Sequence, residues 1–126
     1  MVTAMNLSAE MIEDGAQLLA KLDTTGPPIE AALWLFSEDP AAWQLLFAVR
    51  NVATVGPRVF YKSAQRAFGR APLPKQLKLE DLRLAGPNAS LITAIRSGFR
   101  VQGGRARVTN SIFGGHRIAD ALIYRS

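Results

Sequence analysis

Two neighbouring segments, residues 29–36 and 43–49, are apolar at nearly every position and are separated by a short, turn-rich polar run. Two short apolar segments on either side of a polar turn predict a β-hairpin. Because apolar side chains fall on both faces of each strand, both faces are expected to be covered, as in the central strands of a sheet. Trp34 and Trp43 are therefore expected in the core rather than at a ligand platform.

Three helices are predicted around this hairpin. Ser8 can cap the first, Pro57 suits the first turn of the second, and Asn88 can cap the third. After each of them, apolar residues recur with helical period. The expected inward positions are Met11, Ile12, Leu18, Leu19 and Leu22 in the first helix, Val59, Phe60, Ala64, Ala67 and Phe68 in the second, and Leu91, Ile92, Ile95 and Phe99 in the third.

Three more strands are predicted. Residues 77–84 are rich in leucine and are expected to form one strand, with a bulge near Glu80 and Asp81, where the alternation breaks. Residues 105–113 and 116–125 flank a Gly-Gly pair, which is a signal for a tight two-residue hairpin turn.

The register of this last hairpin predicts two different faces. A turn at Gly114-Gly115 pairs Phe113 with His116 and Thr109 with Asp120. One face is expected to be buried and holds Ala106, Val108, Ile112, Ala119, Ala121 and Ile123. The other is expected to be polar and partly basic and holds Arg105, Arg107, Thr109, His116, Asp120, Leu122 and Tyr124.

In chain order the predicted elements are α-β-β-α-β-α-β-β. This order predicts an α+β sandwich with a five-stranded mixed sheet and helices packed on it. At 126 residues the chain suits a single domain, residues 1–126, with residues 1–7 expected to be flexible.

The chain has no cysteine and a single histidine, His116. Disulfides, thiolate catalysis, Cys-based metal centres and His-pair metal sites are therefore excluded. The first ten residues do not resemble a leader peptide, and no apolar run approaches the roughly 18 residues of a spanning helix. We expect a cytoplasmic protein without membrane association, cofactor or metal.

Charge is segregated along the chain. Residues 1–56 hold two basic and seven acidic residues, whereas residues 57–126 hold thirteen basic and three acidic ones. This reversal indicates an anionic partner more strongly than the net charge of +5 does. If the two halves pack side by side, however, their fields can cancel at close range.

Helical period places Arg58, Lys62 and Arg66 in one row, with Arg70 four residues further on. Like charges at this spacing destabilise an isolated helix by roughly 0.2–0.5 kcal/mol per pair. No carboxylate occurs between Asp39 and Glu80 to offset them. The row therefore predicts a surface that faces an anion, and a merely solvated helix face is the alternative.

A second basic segment follows the third predicted helix. Its glycines can expose backbone N–H groups to an anion, and Arg100, Arg105 and Arg107 can bind phosphate. The segment lacks the Lys-Ser/Thr ending of a P-loop and the preceding strand of a dinucleotide fingerprint. The alternative is a helix end followed by a glycine turn.

His116 and Tyr124 are the residues from which catalysis could be built, as proton carriers in a metal-independent ribonuclease. The scarcity of general bases argues against that reading. Glu80 and Asp81 lack the surrounding pattern of a metal-dependent nuclease. No catalytic residue is therefore predicted.

Residues 26–35 (GPPIEAALWL), residues 56–58 (GPR) and residues 120–125 (DALIYR) together form a recognisable pattern. The pattern resembles a group of small bacterial proteins of uncharacterised function, over most of the chain from about residue 10. The resemblance implies a bacterial single-domain α+β protein. It brings no catalytic or binding residue with it.

We expect a non-enzymatic binding module that engages an anionic partner, either a nucleic-acid backbone or an acidic protein surface. One alternative is a small interaction subunit, such as an inhibitor or antitoxin-like factor, that acts through self-association. The ribonuclease is another. The expected binding residues are Arg58, Lys62, Arg66, Arg70, Arg100, Arg105 and Arg107.

Overall fold

A computed structural model describes residues 7–25, 28–38, 41–49, 52–68, 77, 79–86, 89–98, 100–101 and 104–126. The predicted order α-β-β-α-β-α-β-β and the five-stranded mixed sheet of a single-domain α+β protein are confirmed. The helices are α1 (Ala9–Thr25), α2 (Val52–Phe68) and α3 (Ser90–Gly98), and the strands are β1 (Ile29–Glu38), β2 (Ala41–Val49), β3 (Leu82–Ala85), β4 (Ala106–Phe113) and β5 (His116–Arg125).

The strands lie in the order β3-β2-β1-β5-β4. β2 and β3 are parallel, with α2 in the connection between them, whereas the other neighbouring pairs are antiparallel. The β1–β2 hairpin therefore lies in the interior of the sheet, as its apolar faces predicted. α3 connects β3 with β4, the two edge strands.

Helices cover both faces of the sheet. α1 and α2 pack on one face, around a buried cluster that includes Trp34, Trp43 and Phe60. α3 packs on the other face, around a second cluster that includes Leu33 and Ile95. The exposed fractions of Trp34 and Trp43 are 0% and 8%, so their predicted place in the core is confirmed.

The start of α1 follows the prediction. Ser8 Oγ accepts a hydrogen bond of 3.1 Å from the N–H of Met11, which satisfies one of the free donors of the first turn. Leu7 packs against the cluster beneath α1 and α2. The other residues of the segment predicted to be flexible lie outside the described part of the chain.

The helix that follows β2 bends at Gly56, whose φ of 81° lies in the left-handed region that favours glycine. The predicted start at Pro57 is therefore wrong for the helix as a whole, which begins at Val52, and the predicted part runs from Pro57 after the bend to Phe68. Phe60 is buried against the core as predicted, but Val59 is 49% exposed and its predicted inward position is wrong.

The strand predicted over residues 77–84 is wrong in its first part. Leu79–Asp81 forms a short 3-10 helix, and only Leu82–Ala85 pairs with β2. The N–H of Leu77 donates a hydrogen bond of 3.1 Å to Asp14 Oδ2 of α1, which holds this segment against a helix instead of a strand. The predicted cap Asn88 and the predicted inward residue Phe99 lie outside the described residues.

The register of the β4–β5 hairpin is confirmed, because Phe113 pairs with His116 and Thr109 with Asp120. Its predicted faces are partly wrong. Asn110 has a φ of 45°, which interrupts the alternation of side chains along β4. As a result Ile112 is 72% exposed. The buried side chains here are Val108, Ile118, Ala121 and Ile123 on the α3 face, and Leu122 and Tyr124 on the face that was predicted to be polar.

Candidate functional site

α2 carries a row of exposed basic side chains, Arg58, Lys62 and Arg66, which we call the α2 row. The opposite side of the helix places Phe60 and Ala64 in the core, so the direction of the row is fixed by packing. Residues four apart on a helix are displaced by roughly 6 Å along its axis. The α2 row therefore presents three cations at a regular spacing along one side of the helix.

Within the described part of the chain, no carboxylate lies within ion-pair distance of the α2 row. The arginines of the C-terminal hairpin differ in this respect, because Arg107, Arg117 and Arg125 each bind a carboxylate. The described residues thus supply no carboxylate that offsets the repulsion between the like charges of the α2 row.

The second basic segment is divided by the fold. Arg107 makes a bidentate pair with Asp120, with Nε–Oδ1 at 2.6 Å and Nη2–Oδ2 at 2.7 Å. The hydrogen bond to Asp120 raises the pKa of this arginine. The guanidinium also lies 5.6 Å from the ring centroid of Trp43, which fixes it further on the surface of the sheet.

Arg105 and Arg100 lie in different surroundings. Arg105 Nη2 is 3.7 Å from Glu13 Oε2 of α1. Arg100 follows α3, on the opposite face of the sheet from α2, and its Nε donates to the carbonyl of Arg96 at 3.2 Å. Arg70, the last predicted member of the basic row, lies outside the described residues. The structure therefore brings together Arg58, Lys62 and Arg66, but does not join Arg100 to them.

Ion pairs between the two halves of the chain reduce the charge segregation seen in the sequence. Arg125 binds Asp23 through two contacts of 2.9 and 2.7 Å, and Arg117 binds Glu38. Together with the Arg105–Glu13 pair, these contacts join the acidic first half to the basic second half. Three arginines at or beside β5 are thus paired with acidic residues of the first half, where the sequence predicted a partly basic face.

The two residues considered for catalysis lie far apart and in unlike surroundings. His116 Nε2 is 3.0 Å from Ser90 Oγ, at the exposed start of α3. Tyr124 is only 6% exposed, and eight residues of strand place it roughly 26 Å from His116. The two side chains therefore cannot act on one substrate atom.

The hydroxyl of Tyr124 belongs to a buried hydrogen-bond network. It donates to the carbonyl of Ile12 at 2.5 Å and accepts from Trp34 Nε1 at 2.9 Å. Burial raises the pKa of Tyr124 to about 12, so this phenol keeps its proton at neutral pH. Its role in the described structure is to join α1 to the sheet.

Sequence reasoning missed a cleft between α1 and the end of β5. The cleft has a volume of about 280 Å³, and charged side chains from both elements, Asp23 and Arg125 among them, line it. The register shift between the Ala32–Arg125 and Leu33–Ile123 pairs leaves Tyr124 as an extra residue of β5. No local sequence signal marks such a shift, which turns both Tyr124 and Arg125 toward α1.

The described residues contain no group of three or more His, Asp or Glu side chains arranged to hold a metal ion. Within the same residues, no helix combines the length and the apolar character needed to cross a membrane.

Comparison with known proteins finds no matching family model, no matching curated protein and no matching solved structure.

Proposed function

We propose that the protein is a non-enzymatic binding module that uses the α2 row to engage the phosphate backbone of a nucleic acid. The observation that carries the proposal is the lack of a carboxylate partner for Arg58, Lys62 and Arg66 within the described residues. Evenly spaced cations on a rigid helix suit a repeating anion. Phosphate contacts of this kind give affinity and register without reading the base sequence.

The character of the helix surface favours a nucleic acid over an acidic protein. Centres of protein interfaces are usually rich in aromatic and other large apolar side chains. On the exposed side of α2, the described residues include one such side chain, Val59, beside polar Gln65 and the basic row. The described surface of α2 therefore offers an acidic protein charged contacts but little apolar contact area.

Self-association, in which Glu38, Glu13 and Asp14 would meet the row of a second copy, receives less support, because each of these side chains has a contact within its own chain. Glu38 binds Arg117, and Glu13 lies 3.7 Å from Arg105. Asp14 is 5% exposed and accepts a hydrogen bond from Leu77. A second copy would have to break these contacts to reach the α2 row.

The ribonuclease alternative is not supported by the positions of His116 and Tyr124, which lie at opposite ends of β5. A bacterial origin and a cytoplasmic location belong to the same proposal. They rest on the resemblance to the small bacterial proteins and on the absence of cysteine.

The test compares two double variants that remove the same charge. In Arg58→Gln/Lys62→Gln the change falls on the α2 row, and in Arg96→Gln/Arg100→Gln it falls at the end of α3. Binding to labelled single- and double-stranded RNA and DNA is measured as a function of salt. We expect the α2 variant to lower the slope of log K against log salt by roughly 0.7–0.9 for each lost phosphate contact.

The α3 variant should keep the slope of the wild type, because it changes net charge without touching the row. An equal decrease of the salt slope in the two variants would mean that binding depends on net charge and not on the α2 row. No binding to any of the four nucleic acids at low salt would refute the proposal.

A further inference from the structure

The cleft between α1 and β5 combines an apolar base with fixed charges. Ala16 and Ala20 of α1 line it on one side, and the Tyr124 ring lines it on the other. Asp23, Arg125 and Arg105 supply its charged lining. Its volume of about 280 Å³ is close to the lower limit of small-molecule sites, roughly 300 Å³.

Arg125 is held by three hydrogen bonds within its own chain. Its Nη1 donates to Asp23 Oδ1 at 2.9 Å and to the carbonyl of Ile29 at 3.2 Å, and its Nη2 donates to Asp23 Oδ2 at 2.7 Å. The Arg125–Asp23 pair therefore carries little net charge, and it gives the cleft little attraction for a second anionic group.

Arg105 is positioned but not engaged. Its only carboxylate contact within the described residues is Glu13 at 3.7 Å, which is longer than a hydrogen bond, and both side chains are about half exposed, at 46% and 60%. Its guanidinium carbon lies 5.7 Å from the ring centroid of Tyr124, so the aromatic ring helps to hold it over the cleft. Most of the five N–H donors of this arginine thus remain available to a ligand.

We infer that this cleft binds a small organic monocarboxylate. The carboxylate of the ligand accepts from the Arg105 guanidinium and displaces Glu13, since arginine matches a carboxylate through two parallel hydrogen bonds. The apolar part of the ligand lies against Ala16, Ala20 and the ring of Tyr124. A dianion is disfavoured, because Arg125 is already paired with Asp23 and Arg105 is the one remaining basic side chain among the described residues that line the cleft.

The site goes beyond the proposed nucleic-acid binding and does not depend on it. Arg105 lies in the segment just before β4, whereas the α2 row lies on α2. Failure of one proposal therefore leaves the other intact, provided that each is measured with its own variants.

The test uses benzoate as the charged probe and benzamide as its neutral isostere, titrated into the ¹⁵N-labelled full chain. We expect saturable benzoate-dependent shifts at the amides of Ala16, Ala20, Gly104 and Arg105, and no such shifts with benzamide. Arg105→Gln should weaken benzoate binding roughly tenfold or more, the effect of losing a charge-assisted hydrogen-bonded pair.

A second variant separates recognition from a merely structural role. Glu13→Gln removes the group that competes with the ligand and should tighten benzoate binding by roughly two- to fivefold, the strength of a surface ion pair. Arg117→Gln is the control, since this exposed arginine binds Glu38 elsewhere and should leave benzoate affinity unchanged. Equal shifts with benzamide, no saturation, or an affinity that neither Arg105→Gln nor Glu13→Gln changes would each overturn the inference.

Discussion

Replacing Gly15 with alanine should destabilise the protein, although the same change inside a helix usually stabilises by about 0.5–1 kcal/mol. Gly15 is buried in α1, against the sheet. A β-carbon at this position would lie 2.9 Å from Trp34 Nε1 and 3.0 Å from Tyr124 Cζ, and closer still to Tyr124 Oη. Non-bonded carbon atoms are normally separated by about 3.5–4.0 Å, so the neighbouring groups must move.

The neighbours of Gly15 cannot move without a loss of stability. Tyr124 Oη is held by the carbonyl of Ile12 and by Trp34 Nε1, and Trp34 is completely buried. Overpacking of this kind costs about 1–3 kcal/mol, and a weakened buried hydrogen bond costs about 1 kcal/mol. After the intrinsic gain of alanine is subtracted, we expect the free energy of unfolding to fall by about 1–3 kcal/mol. At about 4 °C per kcal/mol for a chain of this size, Tm should fall by about 4–12 °C.

Urea denaturation of Gly15→Ala and the wild type measures this loss. Gly104→Ala is the matched control, because a β-carbon there meets no atom within 4 Å, and its stability should stay within about 0.5 kcal/mol of the wild type. In a Tyr124→Phe background, which lacks Oη, the cost of Gly15→Ala should shrink. A Gly15→Ala protein as stable as the wild type would refute the reasoning, as would an undiminished cost in the Tyr124→Phe background.

Two further predictions concern the C-terminal strands. Because burial raises the pKa of Tyr124 from 10.0 to about 12, its contribution to stability is complete below about pH 10 and is lost as the pH rises to about 12. Denaturation across this range should show a loss of about 2 kcal/mol that Tyr124→Phe lacks, and parallel curves for the two proteins would contradict it. Ile118→Asp should cost more than about 3 kcal/mol, whereas Ile112→Asp should cost less than about 0.5 kcal/mol, because the exposed fractions are 2% and 72%. Thermal midpoints that rank these two variants in the opposite order would refute the face assignment.

The local pattern of apolar, capping and turn residues in the sequence was sufficient to predict most of the fold. The central hairpin follows from two strands that are apolar on both faces. The start of α1 after Ser8 and the part of α2 that begins at Pro57 follow from residue types suited to a first helical turn. The register of β4 and β5 follows from the Gly-Gly turn between them. Each of these signals lies within about ten residues of the feature that it predicts.

The predictions that failed depend on single conformations or on distant contacts. Nothing in the local sequence requires Asn110 to adopt a φ of 45°, yet this angle decides that Ile118 rather than Ile112 is buried. Leu77 leaves the predicted strand because its N–H bonds to Asp14, 63 positions earlier in the chain. The Arg105–Glu13 contact likewise joins α1 to the segment before β4, so periodicity cannot reveal it.

Ion pairs within the fold change how the excess of basic residues in residues 57–126 is interpreted. Around β5, Arg107, Arg117 and Arg125 are each paired with a carboxylate of the same chain. The α2 row has no such partner among the described residues, and its repulsion costs roughly 0.2–0.5 kcal/mol per pair. The row thus keeps three like charges exposed on one helix. Association with a polyanion would offset the cost, because each neutralised phosphate relieves repulsion within the row and releases a counterion.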